Sequence, residues 1–423
     1  MRIAVANWNL RKLGGIESYL DKIIAGLVRG GHEIAFLCER DVPADRARIR
    51  LPADSSVWCT ASIGRQSALD GLASWAPDII YVHRLNNYEL EEKAIALAPA
   101  VFFAHDYQRT CLSGVKTFDL PVTRPCHRRF GWPCVALYFP RQCGKSGPAA
   151  MWQAFRVKSR QLGLLRRYRA IVTHSQRMRA EYLKHGFRAE FVHRIPFRLE
   201  PVDAASFQSS GAARHADEAG TAPSRSSARL LFVGRMELVK GGQVLLDALP
   251  AVADCLRRPI EVSFAGDGTL RRQWQEHAER IETAKSNIRI RFSGWLDESQ
   301  LDALEDDCDL LVVPSVWPEP FGRVGLEAGL RRLPAAAFAV GGIPEWLIDG
   351  INGYLAPADP PTAAKLAESI VKCLRNSETH SRLREGALAI AKQLTLDQHV
   401  EQLSALFAYI RATQSKGSGR PIR

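Results

Sequence analysis

The chain has 423 residues, 46% apolar and 24% charged, with a formal net charge of +12. That length predicts two domains and is ample to bury two cores, and the composition is that of an ordinary globular protein. No run approaches the ~20 apolar residues that span a bilayer, and the opening MRIAVANWNLRKLGG is charged too early for a secretory signal, so the expectation is a cytoplasmic protein.

RIAVAN (2–7) reads as a strand. GGIESYLDKIIAGLVRGG reads as a helix, because Ile16, Tyr19, Leu20, Ile23, Ile24 and Leu27 share one face. HEIAFLCE (32–39), DIIYVH (78–83), AVFFAHD (100–106) and AIVTHS (170–175) follow as strands. Strands alternating with helices predict a parallel sheet covered on both faces. Residues 201–228 are rich in Ala, Ser and Gly and read as a linker or a disordered insertion.

The alternation then restarts. RLLFVGRM (229–236), IEVSFAGDG (260–268), IRIRFSG (288–294), LLVVPS (310–315) and AAAFAV (335–340) predict a five-stranded parallel sheet with intervening helices. The expectation is therefore an α/β chain of two tandem Rossmann-like domains, 1–200 and 229–400, facing across a deep cleft. A terminal helix at 401–413 and a disordered tail at 414–423 complete it.

Four stretches carry chemistry. In FVGRMELVKGG (232–242) a strand ends at Gly234, and Arg235 and Lys240 flank the turn into a helix, a pattern suited to a diphosphate. In PEPFGRVGLEA (318–328), Pro320 keeps Glu319 in a loop and Gly322 permits a tight turn. The amides of Phe321, Gly322 and Arg323 would face an anion. Glu327, about one and a half turns into the next helix, can accept from ribose hydroxyls. Two surface glutamates remain the other reading. Gly14 and Gly15 stand between the first strand and helix, either as a backbone approach to a phosphate or as a plain turn. His105 closes an apolar run at a strand's carboxyl end, facing the cleft or satisfied in the core.

These motifs together resemble the family 4 retaining glycosyltransferases, which have the GT-B fold. EPFGRVGLE fits their E-x7-E signature. GGIESYLDKIIAGLVRGGHEI, FAGDG, FSGW and GGIPEWLIDGINGYLAP extend the likeness over most of the chain. The resemblance implies a nucleotide-sugar donor, such as a UDP- or GDP-sugar, in the second domain and no other cofactor. By the same resemblance Arg235 and Lys240 hold the diphosphate, Glu327 the ribose, and Glu319 lies near the sugar. The amides of Phe321 and Gly322 would meet sugar or phosphate oxygens, Gly15 the diphosphate, and His105 the sugar near its 6-position. The acceptor is expected on the first domain, and no metal is needed because cations stabilise the leaving group. Two departures stand out: Arg331 and Arg332 where the family is small and apolar, expected to face solvent, and RIPFRLE (194–200) where an asparagine commonly follows the proline.

Charge is uneven. From Tyr107 to Arg198 there are 19 Lys+Arg against 3 Asp+Glu. This segment opens with an insert, 107–150, bearing Cys111, Cys126, Cys134 and Cys143 at C-x14-C-x7-C-x8-C, either a metal or iron–sulfur ligand set or plain thiols. Its place after His105 makes it a candidate acceptor-recognition lid. Residues 154–170 interleave apolar and basic side chains, as in a helix lying on an anionic membrane. The favoured function is sugar transfer to a glycan or lipid-linked acceptor in surface polysaccharide or glycolipid biosynthesis, at the inner face of the membrane. Phosphorolysis or transfer to a small soluble acceptor is the alternative. Nucleic acid is not expected as a partner, because no nucleic-acid module is recognisable.

Overall fold

The computed structural model describes residues 1–12, 14–41, 47–144, 146–197 and 227–415. The first half builds a parallel sheet from β1 (Arg2–Asn9), β2 (Glu33–Arg40), β3 (Val57–Cys59), β4 (Ile79–Arg84) and β5 (Ala100–Ala104). After a small antiparallel hairpin, β6 (Thr117–Phe118) and β7 (Arg124–Pro125), come β8 (Ala170–Thr173) and β9 (Val192–Arg194). The seven strands lie in the order β3-β2-β1-β4-β5-β8-β9. The edge strands β3 and β9 have three residues each, too few for a sequence period to reveal them.

The second sheet holds β10 (Ala228–Val233), β11 (Ile260–Ala265), β12 (Ile288–Gly294), β13 (Leu310–Val313), β14 (Ala335–Phe338) and β15 (Gly353–Ala356). Their order is β12-β11-β10-β13-β14-β15, six parallel strands rather than the expected five. Every residue of β5, β13 and β14 is buried, which is why they read as unbroken apolar runs. β12 lies at the edge and alternates, with Ile288 and Ile290 inward and Arg289 and Arg291 exposed.

The helix Gly15–Arg29 buries Tyr19, Leu20, Ile23, Ile24 and Leu27 against the first sheet, as its spacing predicts. The last helix runs Leu396–Ser415, longer at both ends than 401–413, so Gln414 and Ser415 are helix rather than tail. It returns to the first half of the chain. His399 lies 2.8 Å from the Tyr19 hydroxyl and 2.6 Å from Pro196 O, and Arg411 pairs with Asp78 at 3.1 Å. Of the expected linker, residues 201–226 lie outside the described residues, as do 416–423 of the tail; Ala228 already opens β10.

The insert between β5 and β8 is anchored by buried charge. Arg109 donates to Glu91 at 2.8 Å, Tyr168 donates to the same carboxylate at 2.5 Å, and Lys116 pairs with Glu181 at 2.5 Å. Leu112, Tyr138, Met151 and Phe155 give it a small core of its own. The helix behind it spans Pro148–Leu164 and gives way to a 3-10 turn at Leu165–Arg167, so the stretch 154–170 is not one helix. Phe155, Leu164, Leu165 and Tyr168 point into the protein, and Lys158 donates to Gln108 O at 2.9 Å. The apolar face expected for a membrane is therefore occupied by packing. Leu120, Val122, Trp132, Phe139, Trp152 and Val157 are the large apolar side chains left exposed in this region.

Candidate active site

The stretch 318–328 is shaped by three neighbours. After β13, residues 318–323 form no helix, and the helix that follows is only Val324–Leu330. Glu327 is its fourth residue, so it stands one turn in rather than one and a half. Gly322 has φ +87, and a Cβ there would lie 3.3 Å from both Ile343 Cγ1 and Trp346 Nε1. Trp346 Nε1 donates to Phe321 O at 2.7 Å, and Gly342 N donates to Glu319 O at 2.7 Å. Glycine is required there by both conformation and space.

Lys240 and Glu319, 79 residues apart, meet at 2.5 Å. Ser315 Oγ donates to the same oxygen, Glu319 Oε1, at 2.7 Å. Burial works to raise the Glu319 carboxyl's pKa, but the Lys240 ammonium and the Ser315 hydroxyl outweigh it and hold it below the ordinary range. The lysine is also 5.5 Å from the centre of the Trp317 ring. Arg235 stands exposed just beyond the carboxyl end of β10.

A second ion pair, Arg323 with Glu327, is tied to the other half of the chain by hydrogen bonds from the same guanidinium. Arg323 Nη2 donates to Glu327 Oε1 at 2.7 Å and to Ser18 Oγ at 3.2 Å, while Nη1 donates to Gly15 O at 2.9 Å. Its guanidinium lies 4.4 Å from the centre of the Phe197 ring. Phe197 is the residue standing where the family commonly has asparagine. Burial tends to raise the Glu327 pKa, but Arg323 and Lys22 together lower it. Ser175 Oγ completes the crossing by donating to Pro320 O at 2.6 Å. Gly15 leaves open space, since nothing lies within 4 Å of where its Cβ would be. Gly14 is extended at φ −174 and serves as the cap of the first helix.

His105 follows β5 and lines a small hollow with Ile16, Asp106 and Arg109. Its Nε2 lies 2.8 Å from Nδ1 of His83, and the rings of Tyr19, Phe103 and His174 surround it. Burial, aided by the nearby Arg323, pushes its pKa down to about 3, so the ring is neutral. Burial lowers His83 and His174 in the same direction. His174 in turn lies 6.1 Å, ring to ring, from Phe321.

The structure thus joins Lys240 with Glu319, and Glu327 with Gly15 through Arg323. Arg235 and His105 contact neither pair directly. Before any ligand, Lys240 and Arg323 are each matched to one carboxylate, and the exposed Arg235 adds a cation beyond β10, an excess that favours an anion. Sequence reasoning assigned Arg323 only its amide, although its guanidinium is the link between the halves; a lone arginine beside a glycine turn gives no signal of that. Ser315 and His174 were within reach, as the last and next-to-last residues of the predicted strands LLVVPS and AIVTHS.

Of the two readings left open for Cys111, Cys126, Cys134 and Cys143, the geometry does not favour a ligand set: the Cys134 and Cys143 thiols turn to Arg129 O and Leu137 O, and Cys111 to Ser113. Burial raises Cys126, Cys134 and Cys143 and keeps them as thiols. Among the described residues no group of three or more His, Cys, Asp or Glu is arranged to hold a metal ion. The expectation that Arg331 and Arg332 face solvent fails for Arg331 alone: it lies against Asp302, Asp306 and Glu305 on the helix Glu298–Asp307, while Arg332 is exposed and pairs with Glu385 at 2.7 Å.

Comparison with known proteins places these two halves. Residues 13–197 match the family profile of Glycosyltransferase Family 4, and residues 216–389 that of Glycosyl transferases group 1. A glycogen synthase of Mycobacterium tuberculosis is 25% identical over 457 aligned positions, covering 100% of this chain and 97% of that protein. A D-inositol 3-phosphate glycosyltransferase of Corynebacterium glutamicum is 33% identical over 181 residues, 42% of each chain. The Anabaena protein Alr3699/HepE, solved in complex with UDP and glucose, superposes with a TM-score of 0.67 at 21% identity, covering 97% of this chain and 100% of its own. Among the described residues no helix is long and apolar enough to cross a membrane.

Proposed function

The chain belongs to the family 4 glycosyltransferases and has their GT-B architecture, and on that premise we propose that it moves a sugar from a nucleoside diphosphate to a glycan or lipid-linked acceptor with retention of configuration. The observation that carries this reading is the pair of cross-connected carboxylates. Glu319 is held by Lys240, and Glu327 is held by Arg323, on either side of the Gly322 turn.

In this reading the diphosphate binds Arg235 and Lys240 near the carboxyl end of β10, and Glu327 accepts from the ribose hydroxyls. Lys240 and Arg323 turn part of their charge from the carboxylates to the phosphates as the donor arrives. Glu319, with the Phe321 and Gly322 amides, meets the sugar. Gly15 offers backbone to the diphosphate from the other half, and neutral His105 reaches the sugar. The bond from the anomeric carbon to the phosphate oxygen breaks, and the bond to the acceptor oxygen forms on the same face. The acceptor's proton passes to the departing phosphate oxygen, and the products are a glycoside and a nucleoside diphosphate. The fixed cations stabilise the charge that grows on that phosphate.

UDP is the first nucleotide to try, because the similar Anabaena protein binds it. The acceptor-side surface suits a membrane. Trp132 is 66% exposed, the Trp152 ring lies tilted 5.6 Å from it, and Arg156 and Arg160 stand exposed on the Trp152 helix. That face would lie on the anionic inner leaflet. Co-sedimentation with phosphatidylglycerol vesicles, lost in Trp132→Ser/Trp152→Ser, is the expected result; equal binding to neutral and anionic vesicles would contradict it.

The test of the activity is a panel of UDP- and GDP-sugars with lipid and glycan acceptors, followed by nucleotide release and by proton NMR of the product. One donor consumed, with its anomeric configuration kept, supports the reading. No donor consumed, or an inverted product, overturns it.

A further inference from the structure

The loops beyond the carboxyl ends of β5, β8, β13, β14 and β15 enclose a cavity of about 530 Å³ lined by none of the donor-site residues named above. Ligands of parallel sheets collect at such strand ends. One wall is the insert, with Arg124, His127, Arg128 and Arg141. Arg177, at the start of the helix Gln176–Lys184, joins them from below β8. The opposite wall is Pro318, the segment Ala339–Gly341, and Asp359.

Four arginines face one carboxylate across this space. Among the described residues none of the four is in an ion pair with a carboxylate. Arg177 donates to His127 Nδ1 at 2.6 Å, and Arg141 reaches Leu120 O at 3.4 Å and lies over the Phe118 ring. Burial and the adjacent Arg177 lower the His127 pKa, which suits an imidazole accepting from that guanidinium. The insert holds this wall in place through the Lys116–Glu181 pair and through His185 Nε2, which accepts from Phe130 N at 2.9 Å. Guanidinium groups converging on a partly apolar cavity without a carboxylate to neutralise them are matched to a bidentate oxyanion. A general solubilising surface would spread such charges apart rather than gather them in one concavity.

Pro318 directly precedes Glu319, and Gly341 packs against the Glu319 backbone, so the cavity adjoins the proposed sugar site. We infer that it binds an oxyanion carried by the acceptor, with Arg124, Arg128, Arg141 and Arg177 as its ligands. The inference rests on the glycosyltransferase reading and deepens it: the acceptor is anionic, either through the phosphate of a lipid carrier or through the carboxylate of an acidic sugar.

The experiment first saturates the donor site with the nucleoside diphosphate that stabilises the protein most. Glycerol phosphate, methyl glucuronide and methyl glucoside are then titrated by calorimetry into the full chain and into Arg124→Gln/Arg128→Gln. Both substituted residues are exposed, and neither belongs to the donor site, so nucleotide stabilisation is expected to be unchanged. At least one anionic probe should bind, weaken with added salt, and lose about tenfold in the double variant. Preference for glycerol phosphate identifies a phosphate-bearing acceptor, and preference for the glucuronide an acidic glycan. Anionic probes binding no better than methyl glucoside, or equally well to the variant, would overturn the inference. Should no nucleotide bind, the donor reading fails by itself. The same titration on Lys240→Ala, whose diphosphate site is weakened, then still reports on the cavity.

Discussion

Three of the four histidines packed around Tyr19 should make this fold sensitive to mild acid. His83, His105 and His174 are all held neutral by burial, and Arg323 and Arg84 stand against protonation of His105. In the unfolded chain each has the ordinary pKa of about 6.5. Lowering the pH from 7.5 to 5.5 therefore protonates the unfolded state but not the folded one, and stability falls with pH. For His105, with a folded pKa of about 3, the loss over that interval is about 1.4 kcal/mol, and His83 and His174 add to it in the same direction. His32, His127, His185 and His193 are shifted the same way and steepen the total. Glu319 and Glu327 are shifted downward too, but their stability is lost only as the pH falls through the carboxylate range below this window. Urea unfolding of wild type and His105→Asn at pH 7.5 and 5.5, followed by tryptophan fluorescence, isolates one member. The variant's acid loss should be smaller by about 1.4 kcal/mol. Identical losses in the two proteins would show that His105 is not held neutral, and the reasoning would fail.

Other expectations concern the proposed donor site. Lys240→Ala should lower turnover by about 10²–10³-fold through the lost cation. It should also cost about 2–3 kcal/mol, because Glu319 stays nearly buried without its partner. Lys240→Met/Glu319→Gln should recover much of that stability and none of the activity, which a urea titration and a donor-turnover assay would separate. Gly322→Ala should destabilise by about 1–2 kcal/mol through its left-handed backbone and raise KM for the donor. Arg323→Ala should free Glu327 and loosen the two halves of the chain, seen as faster proteolysis between them and weaker nucleotide stabilisation.

The sequence carried most of the frame because its central strands are buried on both faces and read as short apolar runs, AVFFA and LLVV among them. What escaped it was set by tertiary contact. β3 and β9 exist because neighbours pair with three residues each. β15 begins at a glycine, whose φ of +153 and close approach to Ala335 O no local pattern announces. The four donor residues could be named from motif and resemblance, but their partners could not. That Lys240 meets Glu319, and that Arg323 reaches back to Gly15, depends on how the chain closes. The basic excess from Tyr107 to Arg198 was legible as charge. Its division into the buried Lys116 and Arg109, the half-buried Lys158 and the arginines of the cavity required the fold.

The central claim is that the second half of the chain holds a nucleotide through Glu327. Thermal unfolding with UDP, GDP, ADP and dTDP, on wild type and Glu327→Ala, tests it most directly. A ligand at about 100 times its Kd adds about 2.7 kcal/mol to the folded state, and the account predicts that one nucleotide raises Tm by several degrees in wild type and not in the variant. Equal stabilisation of both proteins, or none by any nucleotide, would contradict it.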